Sequence, residues 1–176
     1  MKKLVFLCCF ILLATNSFAE KGWHVEWYRI KRPSNEYGEF LGEENWSNIN
    51  FNRSWKTNYV YGDIKDYVGF IATTTIHSNG GKYEFKLFNV DDTASLFLDG
   101  KKILETNYKD SINVTVSKGE HTLRIEWKEY CCGASIGFFM SEPQYKEEKL
   151  YGIVIAFLIG ISVAIVLLLL KIRKRK

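Results

Sequence analysis

The sequence predicts an all-β domain, an antiparallel sandwich or barrel, followed by one C-terminal transmembrane helix. Three observations predict it. Apolar residues alternate with polar ones at a period of two. Glycine-bearing turn sequences separate the alternating runs. Beyond them, Tyr151 to Leu170 form 20 residues without a charge, which at helical rise span roughly 30 Å, the depth of a bilayer core.

The alternation is plainest in the second half of the domain. Tyr83, Phe85 and Leu87 interleave with Lys82, Glu84 and Lys86. Ile112, Val114 and Val116 interleave with Asn113, Thr115 and Ser117, and Leu123, Ile125 and Trp127 with Arg124, Glu126 and Lys128. Ala134, Ile136, Phe138 and Met140 end the series. Each run reads as a strand with one face on a core. Asp99-Gly100 between Ser95–Leu98 and Lys101–Leu104 is the two-residue signal of a tight hairpin. Asn79-Gly80-Gly81 and Lys118-Gly119 predict two further turns. Trp23–Trp27 and Tyr67–Ile76 add earlier strands, whereas 31–66, polar and Asn-rich, reads as long loops with one or two short strands.

Charge divides the chain. Seven of its 24 basic residues lie outside residues 20–150, leaving 17 against all 20 acidic ones within. The exterior segment is therefore mildly acidic, and nothing in its charge argues for nucleic acid. Lys2 and Lys3, the apolar run Leu4–Ala14 and Ser17-Phe18-Ala19 have the order of a signal peptide cut after Ala19. The alternative is a retained N-terminal anchor. Lys171 to Lys176 form a basic block of the kind held on the cytoplasmic side. The expected layout is a signal peptide at 1–19, an extracellular domain at 20–143, a spacer at 144–150, a transmembrane helix at 151–170 and a cytoplasmic tail at 171–176. A cell-wall sorting signal is the other reading of that end, although Ser141-Glu142-Pro143-Gln144 matches no sorting motif.

Several segments carry a resemblance. They are Asn50–Trp55, Tyr67–Ile71, Gly80–Phe85, Val90-Asp91-Asp92-Thr93-Ala94-Ser95-Leu96-Phe97-Leu98-Asp99-Gly100, Lys118–Trp127 and Gly133–Ile136. Their order and spacing resemble the protective-antigen-type domain, the PA-14 family, over about residues 23–143. The resemblance implies a β-sandwich or barrel found in adhesins, glycosidase accessory modules and toxins, binding carbohydrate in several members. It also implies that Asp91 and Asp92, joined by a cis peptide, turn both carboxylates toward one calcium that holds sugar hydroxyls. The resemblance further implies that, in calcium-dependent members, an Asn or other polar residue from a late loop completes the site. Here the corresponding loop is Glu129-Tyr130-Cys131-Cys132-Gly133, without Asn, so Glu129 and Tyr130 are the candidates. The alternative for Asp91-Asp92 is loop chemistry, capping backbone amides.

Cys8 and Cys9 lie in the signal peptide, so Cys131 and Cys132 are the cysteines of the mature chain. They are open to three states: a vicinal disulfide, an interchain disulfide to a second subunit, or two thiols. No Cys or His pairs have zinc spacing. Asn45-Trp46-Ser47, Asn52-Arg53-Ser54 and Asn113-Val114-Thr115 are glycosylation sequons. Trp23, Trp27 and Trp127 fit inward positions, while Trp46 and Trp55 fall in the loop region, open to sugar stacking. His121 reads as a strand-start hydrogen bond. No Gly-x-Ser-x-Gly, phosphate loop or histidine near a nucleophile points to an enzyme. The expectation is a single-pass cell-surface module binding carbohydrate, with or without calcium, in adhesion or envelope attachment. The alternative is an interaction subunit docking a cell-surface protein or companion membrane subunit.

Overall fold

The computed structural model describes residues 22–143. The signal peptide, spacer, transmembrane helix and tail expected above lie outside these residues. Among the described residues no helix is long and apolar enough to cross a membrane.

Eight strands form the domain: β1 (Trp23–Ile30), β2 (Tyr37–Trp46), β3 (Phe51–Lys56), β4 (Val68–Asp91), β5 (Thr93–Leu98), β6 (Lys101–Thr106), β7 (Asp110–Glu129) and β8 (Ala134–Met140). All pairings are antiparallel. Two strands are far longer than the rest. The 24 residues of β4 would reach about 80 Å if straight, about twice the width of a domain this size. The strand must bend, and it bends where the turn sequences lie. Gly80 and Gly81 of β4 and Gly119 of β7 all take positive φ (86°, 130° and 136°), which lacks a Cβ penalty only for glycine. Ser78, fully buried there, accepts hydrogen bonds from the Gly80 amide (2.9 Å) and the Tyr83 hydroxyl (3.1 Å). The turns expected at 79–81 and 118–119 are thus not chain reversals. The β4–β7 ladder runs through them from Val68↔Glu129 to Leu87↔Asp110.

The bend folds one long ribbon into two layers. The first layer runs β2-β1-β4-β7-β5-β6 and uses the early half of β4. The second adds β8 to the late half of β4 and β3 to β8. Aromatic rings fill the space between. Trp23 of β1 meets Phe138 of β8 edge-on at 5.2 Å, and Trp127 of β7 stacks on Trp55 of β3 at 5.4 Å. Trp23, Trp27 and Trp127 are all at or below 1% exposure, as their strand positions predict.

Two expectations change. Residues 31–66 hold a ten-residue strand, β2, as well as β3; β2 is an outer strand, so its apolar alternation is diluted and its pattern hidden. Trp46 and Trp55 are not free for stacking. Trp46 is buried with Arg53 over its ring at 3.8 Å, and Trp55 packs on the core. The Asp99-Gly100 hairpin forms as expected, with φ of 50° and 78°, the left-handed pair that a two-residue turn of type I′ requires.

Candidate functional site: an acidic centre at the open end

Both ends of β4 lie at the end of the sandwich opposite the bend. Val68 faces Glu129, and Asp91 faces Ser135 at the start of β8. This brings three sequence-distant segments together: Asp66 and the start of β4, the Asp91-Asp92 corner, and the end of β7 with the turn Cys131–Gly133 that follows it. The Asp91–Asp92 peptide is cis, and both carboxylates converge with that of Glu129. One oxygen from each lies within 4.8 Å of the others. Two ligands across one calcium stand about 4.6–5.2 Å apart, since each bond is about 2.3–2.6 Å. The spacing suits one hard cation.

The corner is held from beneath. The fully buried Trp127 indole donates to the Asp91 carbonyl at 2.7 Å. The Asp92 amide reaches the Lys128 carbonyl at 3.3 Å. The Tyr130 amide donates to Asp92 Oδ2 at 2.6 Å. Tyr130 therefore serves the centre through its backbone, while its half-buried ring leans on Tyr67.

Glu129 is the unusual group. It has no exposed surface, and neither carboxylate oxygen has a hydrogen-bond partner. Burial first, then the charges of Asp92, Asp91 and Asp66, push its pKa up to about 9. The Cys131 amide pulls the other way, without closing a well-formed hydrogen bond. Asp91 is also raised, by burial and then by Asp92, and Tyr130 by burial and then Asp92. Buried carboxylates without partners are costly. A divalent cation would answer all three at once, so the residues present fit one. Asp66, from the segment before β4, was not legible in the sequence as part of this centre, because only the fold brings it near.

Cys131 and Cys132 stand as a close vicinal pair, Cα atoms 3.7 Å apart. Both residues are exposed, and the Gly133 amide donates to the Cys131 carbonyl at 3.0 Å. On the other side of Asp91 lies a groove of about 470 Å³ lined by Asn52, Asn89, Asn107, Tyr108 and Ser135. Asn45, Asn52 and Asn113 are all exposed. Asn52 Oδ1 accepts from Asn89 at 3.3 Å.

The structure does place a histidine beside a hydroxyl. Ser117 Oγ lies 3.2 Å from His121 Nε2, and Asp99 Oδ2 2.7 Å from Nδ1. Yet Nε2 also meets the Ser117 carbonyl at 3.0 Å. Each ring nitrogen faces an acceptor, which favours the doubly protonated imidazolium, a form without the lone pair a base needs. It is a clip between the β5–β6 hairpin and β7. The Asp99 hydrogen bond raises the His121 pKa, and the same bond lowers that of Asp99. The His121 contribution is complete below its unfolded value, about 6.5, and is lost as pH rises through the raised folded value. The Asp99 contribution is complete above about 3.9 and is lost as pH falls through the lowered one. Asp99→Asn should therefore lower the melting temperature most between about pH 4 and 6.5, and progressively less as pH rises above that window. A pH-independent difference in paired thermal melts would refute the clip.

The family profile of the PA14 domain matches residues 20–132. The chain belongs to the PA14 family. Solved structures agree on the fold of this PA14 domain. It aligns with a β-glucosidase from Kluyveromyces marxianus in complex with glucose (TM-score 0.54, 13% identity, 74% of this chain and 18% of that one). An anti-sigma factor domain-containing protein from Clostridium clariflavum aligns at TM-score 0.56 and 16% identity, over 69% of this chain and 42% of that one. The Epithelial Adhesin 9 A domain from Candida glabrata, in complex with Galβ1-3GlcNAc, aligns at 0.50 and 10%, over 71% and 84%. This chain spans less than half the length of the first two proteins. No curated protein matches it.

Proposed function

We propose that this PA14 domain is a cell-surface carbohydrate-binding module that holds its ligand through a calcium ion at Asp91, Asp92 and Glu129. One observation carries the reading: three carboxylates converge on a single-ion spacing, and the most buried of them has no protein partner. Asp91 and Asp92 remain half-exposed at the rim, so an ion there would keep coordination sites open to sugar hydroxyls. The sugar ligands of the adhesin domain and the β-glucosidase named above support the same class of ligand.

The path of the chain supports display from a membrane. β8 starts beside Asp91 and runs away from the rim, so that Met140 faces Phe85 and the Ser141 amide reaches the Glu84 carbonyl at 2.9 Å. Pro143 lies beside Ile76, Asn79 and Tyr83 at the bend. An anchor at 151–170 would leave the acidic rim facing outward.

The test is a glycan array probed with the full chain in detergent, with calcium and with chelator. Binding to a defined set of glycans in calcium, lost on chelation, is expected. A blank array in both conditions would overturn the reading in favour of a protein-docking subunit.

A further inference from the structure

The rim has a second compartment. Lys56, Asn58, Lys65 and Asp66 line a cavity of about 350 Å³ together with the Cys131–Gly133 turn, at the small end of ligand pockets, about 300–1,000 Å³. It adjoins the acidic centre directly. A Cβ placed on Gly133 would lie 3.0 Å from Asp91 Oδ2 and 4.0 Å from the Lys56 carbonyl, so no side chain at that position walls the two apart. The close cysteine pair gives the cavity a wall with no strong donor. Lys56 and Lys65 are exposed, and no ion pair among the described residues uses either ammonium group.

Two cations outside any ion pair among the described residues, Lys65 also lying over the Tyr59 ring at 5.0 Å, stand beside an ion-binding centre, a charge pattern for an anion. We propose that this compartment takes a sugar unit bearing a carboxylate or sulfate, next to the unit held at the cation. The inference rests on the calcium-and-sugar reading above and names the class of sugar within it. Without the ion, Asp91, Asp92 and Asp66 set a negative field that opposes such a unit. The ion offsets that field and leaves the two lysines to act. Charge preference should therefore appear only with calcium present.

An array carrying neutral, carboxylated and sulfated forms of the same backbones tests this with the full chain in detergent. In calcium, an acidic form should bind about tenfold tighter than its neutral parent, the scale of two exposed ion pairs, and the advantage should shrink in high salt. The carboxylated and sulfated arms separate the two sources of charge. Lys56→Gln with Lys65→Gln should bring the acidic form down to its parent while leaving the calcium-induced rise in melting temperature intact. Equal binding of acidic and neutral forms, or a preference that survives in the double variant, would overturn this inference and spare the calcium reading. Loss of all glycan binding together with any calcium response would overturn both.

Discussion

Calcium added to the full chain in detergent will raise its melting temperature, and Asp91→Asn with Asp92→Asn will abolish the rise. An ion that binds only the folded state stabilises it by about 2.7 kcal/mol at a hundredfold excess over Kd, about 8–12 °C for a head of this size. Glu129 makes the expectation sharper. With its folded pKa at about 9 and an unfolded value near 4.3, the folded state keeps a proton that the unfolded state gives up. Without calcium, stability must then fall as pH rises across that window. Glu129→Gln has no group to ionise in the unfolded state, so in chelator at pH 8 it should melt higher than wild type and lose the downward slope. The same variant should gain little from calcium, having lost a ligand. Differential scanning calorimetry at several pH values, with calcium or chelator, checks all of this. An unchanged melting temperature on calcium addition, with Glu129→Gln less stable than wild type in chelator, would show that the three carboxylates are not an ion site.

Trp127→Ala should be the most damaging single substitution in the head. Its ring is fully buried and contacts Trp27, Trp55 and Phe70 across both layers. Removing a buried aromatic of this size costs about 3–5 kcal/mol, a large share of a typical domain's 5–15 kcal/mol. Trp127→Phe separates packing from positioning. It keeps a ring in the core but deletes the donor to the Asp91 carbonyl, worth about 1 kcal/mol. The fold should survive, while the Asp91-Asp92 corner loses its support and calcium affinity drops several-fold. Far-ultraviolet circular dichroism and calcium titration of both variants give the readout. Wild-type calcium affinity in Trp127→Phe would mean that the indole only fills space.

Much of this protein follows from local pattern. Period-two alternation set strand segments of β4, β7 and β8, because a strand with one buried face must alternate. Asp99-Gly100 set a hairpin, because both residues readily take the positive φ that a type I′ turn requires. The Asp91-Asp92 pair stood out by resemblance. What needed the tertiary structure was everything built from distance. Asn79-Gly80-Gly81 looks like a turn, and only the ladder continuing through it shows a bend that makes two layers from one ribbon. β2 carries too few inward apolar residues to announce itself. Trp46 and Trp55 seemed free because their partners, Arg53, Phe70 and Trp127, come from other strands. Glu129 was a candidate by position alone; its burial beside Asp91, Asp92 and Asp66 arises from three separate segments meeting at one end. Periodicity reports which face a residue turns inward, but a binding site is a matter of which segments meet, and that is decided only when the sheet closes on itself.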